Sequence, residues 1–344
     1  MLKSFSPANL LVIDFGQLGD VVLSLPALRA IRGRFPGAKI TVAAGKTSAE
    51  VINLSGYANA TLTVDRVALR DGFTPFSVFQ IFKLVKDVRR RQFDFVIDLH
   101  SLSETNLLGF LSGANKRLYS RRPGRSLDFL SNFHPSPPLE DPKLKRHLID
   151  RYLDVLLPLG VSNADRLPRL RTSSTQDRAV DQILQKARAD SGSPLVGLFP
   201  GAGHPSRRWP LERFAELADF LIRNDQVRVL VFAGPEEEGL VSKMRNLFPA
   251  SAVILERLTV SHLASALARL AVFVSNDTGP MHIAAAVGTP VVLLLDKRAP
   301  DTYLPLGERH QKVYNKVISE TAVEEVYEAA RSVLAGGRTA SLFA

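Results

Sequence analysis

Short apolar runs alternate with helix-spaced apolar residues along almost the whole chain, and that rhythm leaves few folds open. Leu10–Ile13 is such a run. Beyond Gly19, the residues Val21, Leu25, Leu28, Ile31 and Phe35 recur at helical spacing until Pro36-Gly37 stops them. Lys39–Ala44 reads as a second strand, then Thr61–Val64 and Phe93–Leu99, with an amphipathic helix from Phe76 to Arg91 between the last two. Repeated strand–helix–strand units call for a parallel sheet, since parallel neighbours are joined only by a crossover, usually a helix.

The second half repeats the pattern more regularly. Strands are expected at Leu195–Phe199, Val227–Phe232, Ala252–Leu255, Val272–Ser275 and Pro290–Leu295. Between and after them run helices at Leu211–Ile222, from Glu236, at Ser261–Leu270, at Pro280–Ala286 and at Val323–Leu334. The fold class is therefore α/β with doubly wound parallel sheets. At 344 residues the chain exceeds one such domain, so two are expected, 1–170 and 171–344, with Pro168–Thr175 as the connection. The last helix is placed in the second domain, with packing back on the first as an alternative. From Arg117 to His147 the periodicity dissolves into Pro, Gly, Arg and Lys, which reads as a long basic loop region.

Composition removes several classes of chemistry. There is no cysteine, which excludes disulfides, thiolate catalysis and Cys-based zinc sites and suits a reducing compartment such as the cytoplasm. No run approaches the ~18 apolar residues of a membrane span, and Met1–Pro7 is too short and polar for a signal peptide. A formal net charge of +10 attracts polyanions of any kind, whether nucleic acid, anionic lipid or phosphorylated glycan.

On open parallel sheets ligands sit at the carboxyl ends of strands. That rule singles out the segments Gly16–Asp20, Asp98–His100, Pro200–Arg207, Gly234–Glu236 and Asn276–Gly279. Asp20 lies in the first turn of a helix, where it serves the helix dipole or, alternatively, acts as a general base. Asp277 and Thr278 are either caps for the helix that Pro280 opens or, with Gly279, part of a diphosphate cradle built from backbone N–H groups. Arg207 follows Gly201, Ala202 and Gly203, where a guanidinium fork suits phosphate oxygens. His100 and His282 lack metal-site spacing, and there is no Asp-x-Asp pair to hold a divalent ion. The basic cluster Arg117, Arg121, Arg122, Arg125, Lys143, Lys145 and Arg146 is either a solvated face or, with Phe129 and Phe133 interleaved, a grip for an anionic acceptor at a membrane surface.

Taken together, these segments resemble glycosyltransferase family 9, the lipopolysaccharide heptosyltransferases. The likeness is carried by Leu18-Gly19-Asp20-Val21-Val22 and Leu25-Pro26-Ala27-Leu28, by Phe93 to His100, by Pro200-Gly201-Ala202 with Arg208-Trp209-Pro210, and by Asn276 to Ala285. The resemblance implies a GT-B architecture, two Rossmann-like domains facing a central cleft, with acceptor binding in the first and nucleotide-sugar binding in the second. It implies inverting, metal-independent transfer of heptose from ADP-heptose to an inner-core lipopolysaccharide hydroxyl, with no cofactor. Asp20 falls on the family's catalytic base and Arg207 on a lysine that contacts the diphosphate. Asp277, Thr278, Gly279 and His282 fall on the donor motif, and Glu236 near an acidic ribose contact, with Glu237 as the alternative alignment. Gly201, Ala202 and Gly203 join the donor set. Gly19, His100, Arg117, Arg121, Arg122 and Arg125 are the acceptor contacts. Two positions depart from the pattern: Arg207 stands for lysine, and Asp14 where Arg or Lys is common.

The setting implied is a monomer at the cytoplasmic face of the inner membrane, touching it peripherally and binding no nucleic acid. Rival readings keep the enzyme class with another nucleotide sugar or glycan acceptor, or make the chain a non-catalytic polyanion-binding protein. The latter lacks any recognised nucleic-acid motif.

Overall fold

A computed structural model describes residues 5–64, 75–189, 192–296 and 299–341. The chain divides into two compact units, Met1–Pro168 and Arg169–Ala344.

The first unit is built on β1 (Asn9–Ile13), β2 (Lys39–Gly45), β3 (Ala60–Val64), β4 (Phe95–Asp98) and β5 (Lys116–Tyr119), in the order β3-β2-β1-β4-β5. All pairs are parallel, with Val12 beside Val42 and Ile13 beside Asp98. Leu10 to Ile13 are fully buried, as expected of a central strand covered on both faces. The helices are α1 (Leu18–Arg34), α2 (Lys46–Ser55), α3 (Pro75–Arg90), α4 (Ser103–Leu111) and α5 (Leu148–Asp154). α1 buries Val21, Val22, Leu25, Leu28 and Ile31 and packs against α2 and α5.

The basic region is less loose than its composition suggests. It starts with the edge strand β5, and Phe133 is buried in an aromatic cluster, its ring 5.3 Å from Phe95 and 5.5 Å from Phe5. Phe133 therefore anchors the loop to the core and is not available to an acceptor. Phe129, in a turn of 3-10 helix at Asp128–Leu130, is 78% exposed.

In the second unit β6 (Leu195–Phe199), β7 (Arg228–Ala233), β8 (Val253–Glu256), β9 (Val272–Asn276), β10 (Val291–Asp296) and β11 (Gln311–Asn315) run parallel in the order β11-β10-β9-β6-β7-β8. The helices are α6 (Ser174–Lys186), α7 (Leu211–Asp225), α8 (Val241–Leu247), α9 (Val260–Leu267), α10 (Gly279–Ala286) and α11 (Val323–Ser341). α7 buries Phe214, Leu217, Ala218 and Leu221 at i, i+3, i+4 and i+7, one apolar stripe facing the sheet. α11 packs on α7, β9, β10 and β11, a layer of the second unit's own sandwich.

Each sheet has one point where the chain reverses its direction of winding: β1 beside β4 in the first unit, β6 beside β9 in the second. Loops leaving those strands diverge to opposite faces and open a crevice, where ligands of such sheets bind.

Candidate active site

At the first switch point, β1 is followed by Asp14, which is fully buried and accepts a hydrogen bond from Gly16 N–H to Oδ1 at 3.0 Å. A Cβ on residue 16 would lie 2.7 Å from the Asp20 Cβ and 3.0 Å from Asp14 Oδ1, so only glycine lets the two acidic residues stand this close. Gln17 caps α1 in extended conformation, Gly19 and Asp20 occupy the first turn, and Asp20 Oδ2 accepts from Gln17 N–H at 3.1 Å. The capping role foreseen for Asp20 is thus present, and its carboxylate is half-buried. Asp14 is used to shape the loop from within, as a buried arginine or lysine could not do without an acid beside it.

The neighbouring strand ends in Asp98, also fully buried. Its Oδ1 accepts from Ser101 N–H at 2.7 Å and its Oδ2 from Asn106 Nδ2 at 2.8 Å. Asn106 passes the connection on, accepting from Leu127 N–H at 2.8 Å, so Asp98 ties β4 through α4 to the basic segment. Burial pushes the Asp98 carboxyl up to about 7; hydrogen bonds from Ser101, Thr105 and Asn106 oppose the shift, and the charge of Asp14 adds to it. The sign of the resulting pH dependence is fixed. Between its ordinary value near 3.8 and about 7 the folded chain holds a proton that the unfolded chain has released, so stability falls as pH rises through that window. Melting temperatures of the wild type and Asp98→Asn against pH check this: the wild type should lose more stability than the variant from about pH 4 to about pH 7.

The expected acceptor arginines divide into two kinds. Arg117 is committed within the fold: its Nε donates to Leu130 O at 3.0 Å and its NH1 to Ala114 O at 2.7 Å. Arg122 donates to the carbonyl of His100 at 2.9 Å and pairs with Glu140, which also pairs with Arg151. These two hold β5 and the loop after β4 in place. Arg121 is partly exposed beside Asp128, and Arg125 is exposed.

The second unit's switch point gathers segments far apart in sequence around Asn276, a residue that the motif reading included but gave no role. Asn276, the last residue of β9, is fully buried. Its Nδ2 donates to the carbonyls of Pro200 at 2.9 Å and Gly201 at 3.2 Å, and its Oδ1 accepts from Trp209 N–H at 3.0 Å. One amide therefore clamps both ends of the loop after β6. Within that loop Arg208 donates through Nε and NH2 to Ala202 O. Trp209 is buried, donates Nε1–H to Thr321 O at 3.0 Å and packs edge-on against Phe214.

Arg207, at the end of a 3-10 turn, reaches Asp277 with NH1 to Oδ2 at 3.1 Å and remains 48% exposed. Gly203 is exposed beside it. Thr278 sits at the N-cap of α10 in extended conformation without making a side-chain cap bond, and Gly279 and Pro280 open the helix. The cap reading of Thr278 is therefore not realised, and the Asp277 carboxylate turns to Arg207 instead. His282 is buried on α10.

Of the acidic run after β7, Glu236 is exposed and Glu237 is buried. Glu237 Oε2 accepts from Gly234 N–H at 3.1 Å, and a Cβ on Gly201 would lie 2.3 Å from its Oε1. Burial raises the Glu237 carboxyl above the usual range against the pull of the Gly234 N–H. Glu237 thus supports the glycine loop from behind, and three successive glutamates gave no sign in sequence of which would turn inward. Among the described residues no group of three His, Cys, Asp or Glu side chains is placed to hold a metal ion.

The model of glycosyltransferase family 9 (heptosyltransferase) matches residues 81–329, about half of the first unit and most of the second. The chain belongs to glycosyltransferase family 9. It is 24% identical over 315 residues to lipooligosaccharide heptosyltransferase 2 of Haemophilus influenzae, covering 88% of this chain and 87% of that one. Among solved structures it is similar to the family 9 glycosyl transferase of Veillonella parvula, with a TM-score of 0.84, 22% identity and 96% and 97% of the two chains covered. It is also similar to the ADP-heptose lipopolysaccharide heptosyltransferase II of Escherichia coli, with a TM-score of 0.80, 22% identity and 96% and 99% covered. The fold class of this family 9 enzyme is accordingly that of the family's solved members. Of the two departures in the motifs, Asp14 accepts from Gly16 N–H within its loop and Arg207 pairs with Asp277.

Proposed function

We propose that this enzyme transfers heptose from ADP-heptose to a lipopolysaccharide core hydroxyl, with inversion and without a metal, at the cytoplasmic face of the inner membrane, as a monomer. The observation that supports the donor half most directly is the approach of Arg207 to Asp277 at the carboxyl ends of adjacent strands, beside the N-terminus of α10. That corner offers an exposed guanidinium, a helix N-terminus with its backbone donors, and glycines that admit a ligand to the backbone, the ingredients of a diphosphate site. The similarity to the ADP-heptose lipopolysaccharide heptosyltransferase II of Escherichia coli supports ADP-heptose as the donor.

In the reaction Asp20 takes the proton of the acceptor hydroxyl, whose oxygen attacks the anomeric carbon as the bond to ADP breaks on the opposite face. Arg207 and the α10 N-terminus take up the negative charge that develops on the departing diphosphate, a part that a divalent cation plays in other phosphate sites. Glu236, exposed beside the glycine loop, is the ribose contact, and His282, Gly201, Ala202 and Gly203 line the donor end. On the acceptor side Arg121 and Arg125 meet its anionic groups, with Gly19 in the first turn of α1, His100 just after β4, and Arg117 and Arg122 holding the frame.

A coupled assay for ADP release, with ADP-heptose and truncated lipopolysaccharides, tests the reading. Turnover in the presence of EDTA, and tighter binding of ADP than of UDP or GDP, are expected; equal binding of all three would remove ADP-heptose as the donor. Arg207→Ala should weaken ADP binding by about 10- to 150-fold, the loss of a hydrogen bond to a charged group. Calorimetric titration with ADP checks it, and an unchanged Kd would take Arg207 out of the diphosphate site.

A further inference from the structure

The first unit turns an unusual face to solvent. On α3 the stripe Phe79, Phe82, Lys83, Lys86 and Arg90 follows i, i+3, i+4 spacing and is exposed, with Phe79 and Phe82 more than 60% accessible. Leu84, Val85 and Val88, on the opposite side of the helix, pack against the core. The neighbouring α4 buries Thr105 and Asn106, which serve the Asp98 network, together with Leu108, and leaves the large apolar side chains of Leu107 and Phe110 exposed. Arg117 joins this face to the Asp128–Leu130 turn, its guanidinium 5.3 Å over the Phe110 ring while its Nε holds Leu130 O. The turn presents Phe129.

We propose that α3, α4 and the Asp128–Leu130 turn form the surface by which this protein seats on an anionic phospholipid bilayer, aromatic rings entering the interface and cations meeting phosphate headgroups. The inference rests on the functional reading above only in supplying a reason for such a surface, since an acceptor anchored in a membrane requires one. Its chemistry is independent of that reading. Large apolar side chains interleaved with lysine and arginine on one exposed helical stripe match the composition of interfacial helices. Exposed apolar patches of this kind mark an interaction site. A second copy of the chain is a poor occupant, because apposing this face with itself sets Lys83, Lys86 and Arg90 against their own counterparts. A bilayer rich in anionic headgroups satisfies both halves of the face at once.

Co-sedimentation with vesicles tests it on the full chain. Wild type should pellet with vesicles of phosphatidylethanolamine and phosphatidylglycerol and stay in solution with phosphatidylcholine vesicles. Lys83→Gln, Lys86→Gln and Arg90→Gln combined should lower the partition by about 100-fold, at about fivefold per cation removed. Phe79→Ser with Phe82→Ser should abolish pelleting even at low salt. Both variants should keep the wild-type melting transition and wild-type ADP release on a lipid-free core oligosaccharide. A wild type that ignores anionic vesicles, or binds phosphatidylcholine as well, overturns the proposal, as does a folded variant of either kind that pellets like the wild type. The vesicle measurement needs neither substrate, so a failure of the functional reading appears separately, as absence of ADP release by the wild type.

Discussion

Asp20→Asn should slow transfer by about 10²- to 10⁴-fold, the usual contribution of a positioned general base, while the Kd for ADP stays at the wild-type value. Asparagine separates the proposed proton transfer from the structural role of Asp20. The Asp20 Oδ2 accepts from Gln17 N–H and closes the first turn of α1, and an amide oxygen can do the same. A carboxamide cannot take a proton from a hydroxyl. Asp20→Ala removes both functions, so it should match the asparagine variant in rate and lose in addition about 0.5–2 kcal/mol of stability with the lost cap. Single-turnover ADP release and thermal melting of the pair separate the roles. Rapid transfer by Asp20→Asn, with transfer lost only in a destabilised Asp20→Ala, would reduce Asp20 to a helix cap and leave the reaction without its base. A rate loss of this size corresponds to about 3–5 kcal/mol in the barrier, too large for a small shift of the α1 terminus to imitate without a matching change in melting temperature.

How far the sequence led can be judged element by element. The central strands were legible because parallel strands covered on both faces must be apolar throughout, and Leu10–Ile13, Leu195–Phe199 and Val291–Leu295 are. Of the four edge strands, β3 and β8 were legible at Thr61–Val64 and Ala252–Leu255, whereas β5 and β11 were not. β5 is Lys-Arg-Leu-Tyr and β11 is Gln-Lys-Val-Tyr-Asn, and only Val313 of β11 is buried; an edge strand needs little apolar surface, so it leaves little signal. α4 escaped because its buried side mixes Thr105 and Asn106 of the Asp98 network with Leu108 while Leu107 and Phe110 face outward, so no apolar stripe marks the helix. In the site, glycine loops and charges at strand ends could be found because topology fixes where ligands bind, whereas the internal supports could not. Asp14, Asp98 and Glu237 are buried acids whose partners are set by the turns around them, and periodicity carries no information about that. Arg117 and Arg122 read as ligand-seeking cations until their carbonyl partners were seen. The division between the compact units falls at Pro168, inside the aperiodic stretch that separates the two α/β halves in sequence.

Asn276→Asp should be the most damaging isosteric change in the second unit. The wild-type amide donates to two carbonyls, Pro200 and Gly201, and accepts from Trp209 N–H, all without exposure to water. An ionised aspartate would set an oxygen against both carbonyls in place of the donor, with no solvent to disperse its charge; a protonated one could serve only one of them. The expected cost is at least about 2 kcal/mol, the penalty of leaving buried polar groups unmatched, which lowers the melting temperature by several degrees in a unit of this size. Because the Pro200–Gly203 loop loses its clamp, ADP binding should weaken more than tenfold even in the fraction that remains folded, a factor worth about 1.4 kcal/mol. The pH dependence gives the signature. The buried carboxyl that this substitution introduces is held protonated in the folded state, so the variant binds a proton on folding and loses stability as pH rises from the ordinary carboxylate range, a trend the wild-type amide cannot contribute. Asn276→Ala removes the clamp without adding the repulsion and should lie between the wild type and Asn276→Asp, with no new pH dependence. Differential scanning calorimetry across pH, paired with ADP titration, decides the matter: an Asn276→Asp protein that melts and binds ADP like the wild type would show that the loop is held by Arg208, Glu237 and Trp209 without the amide.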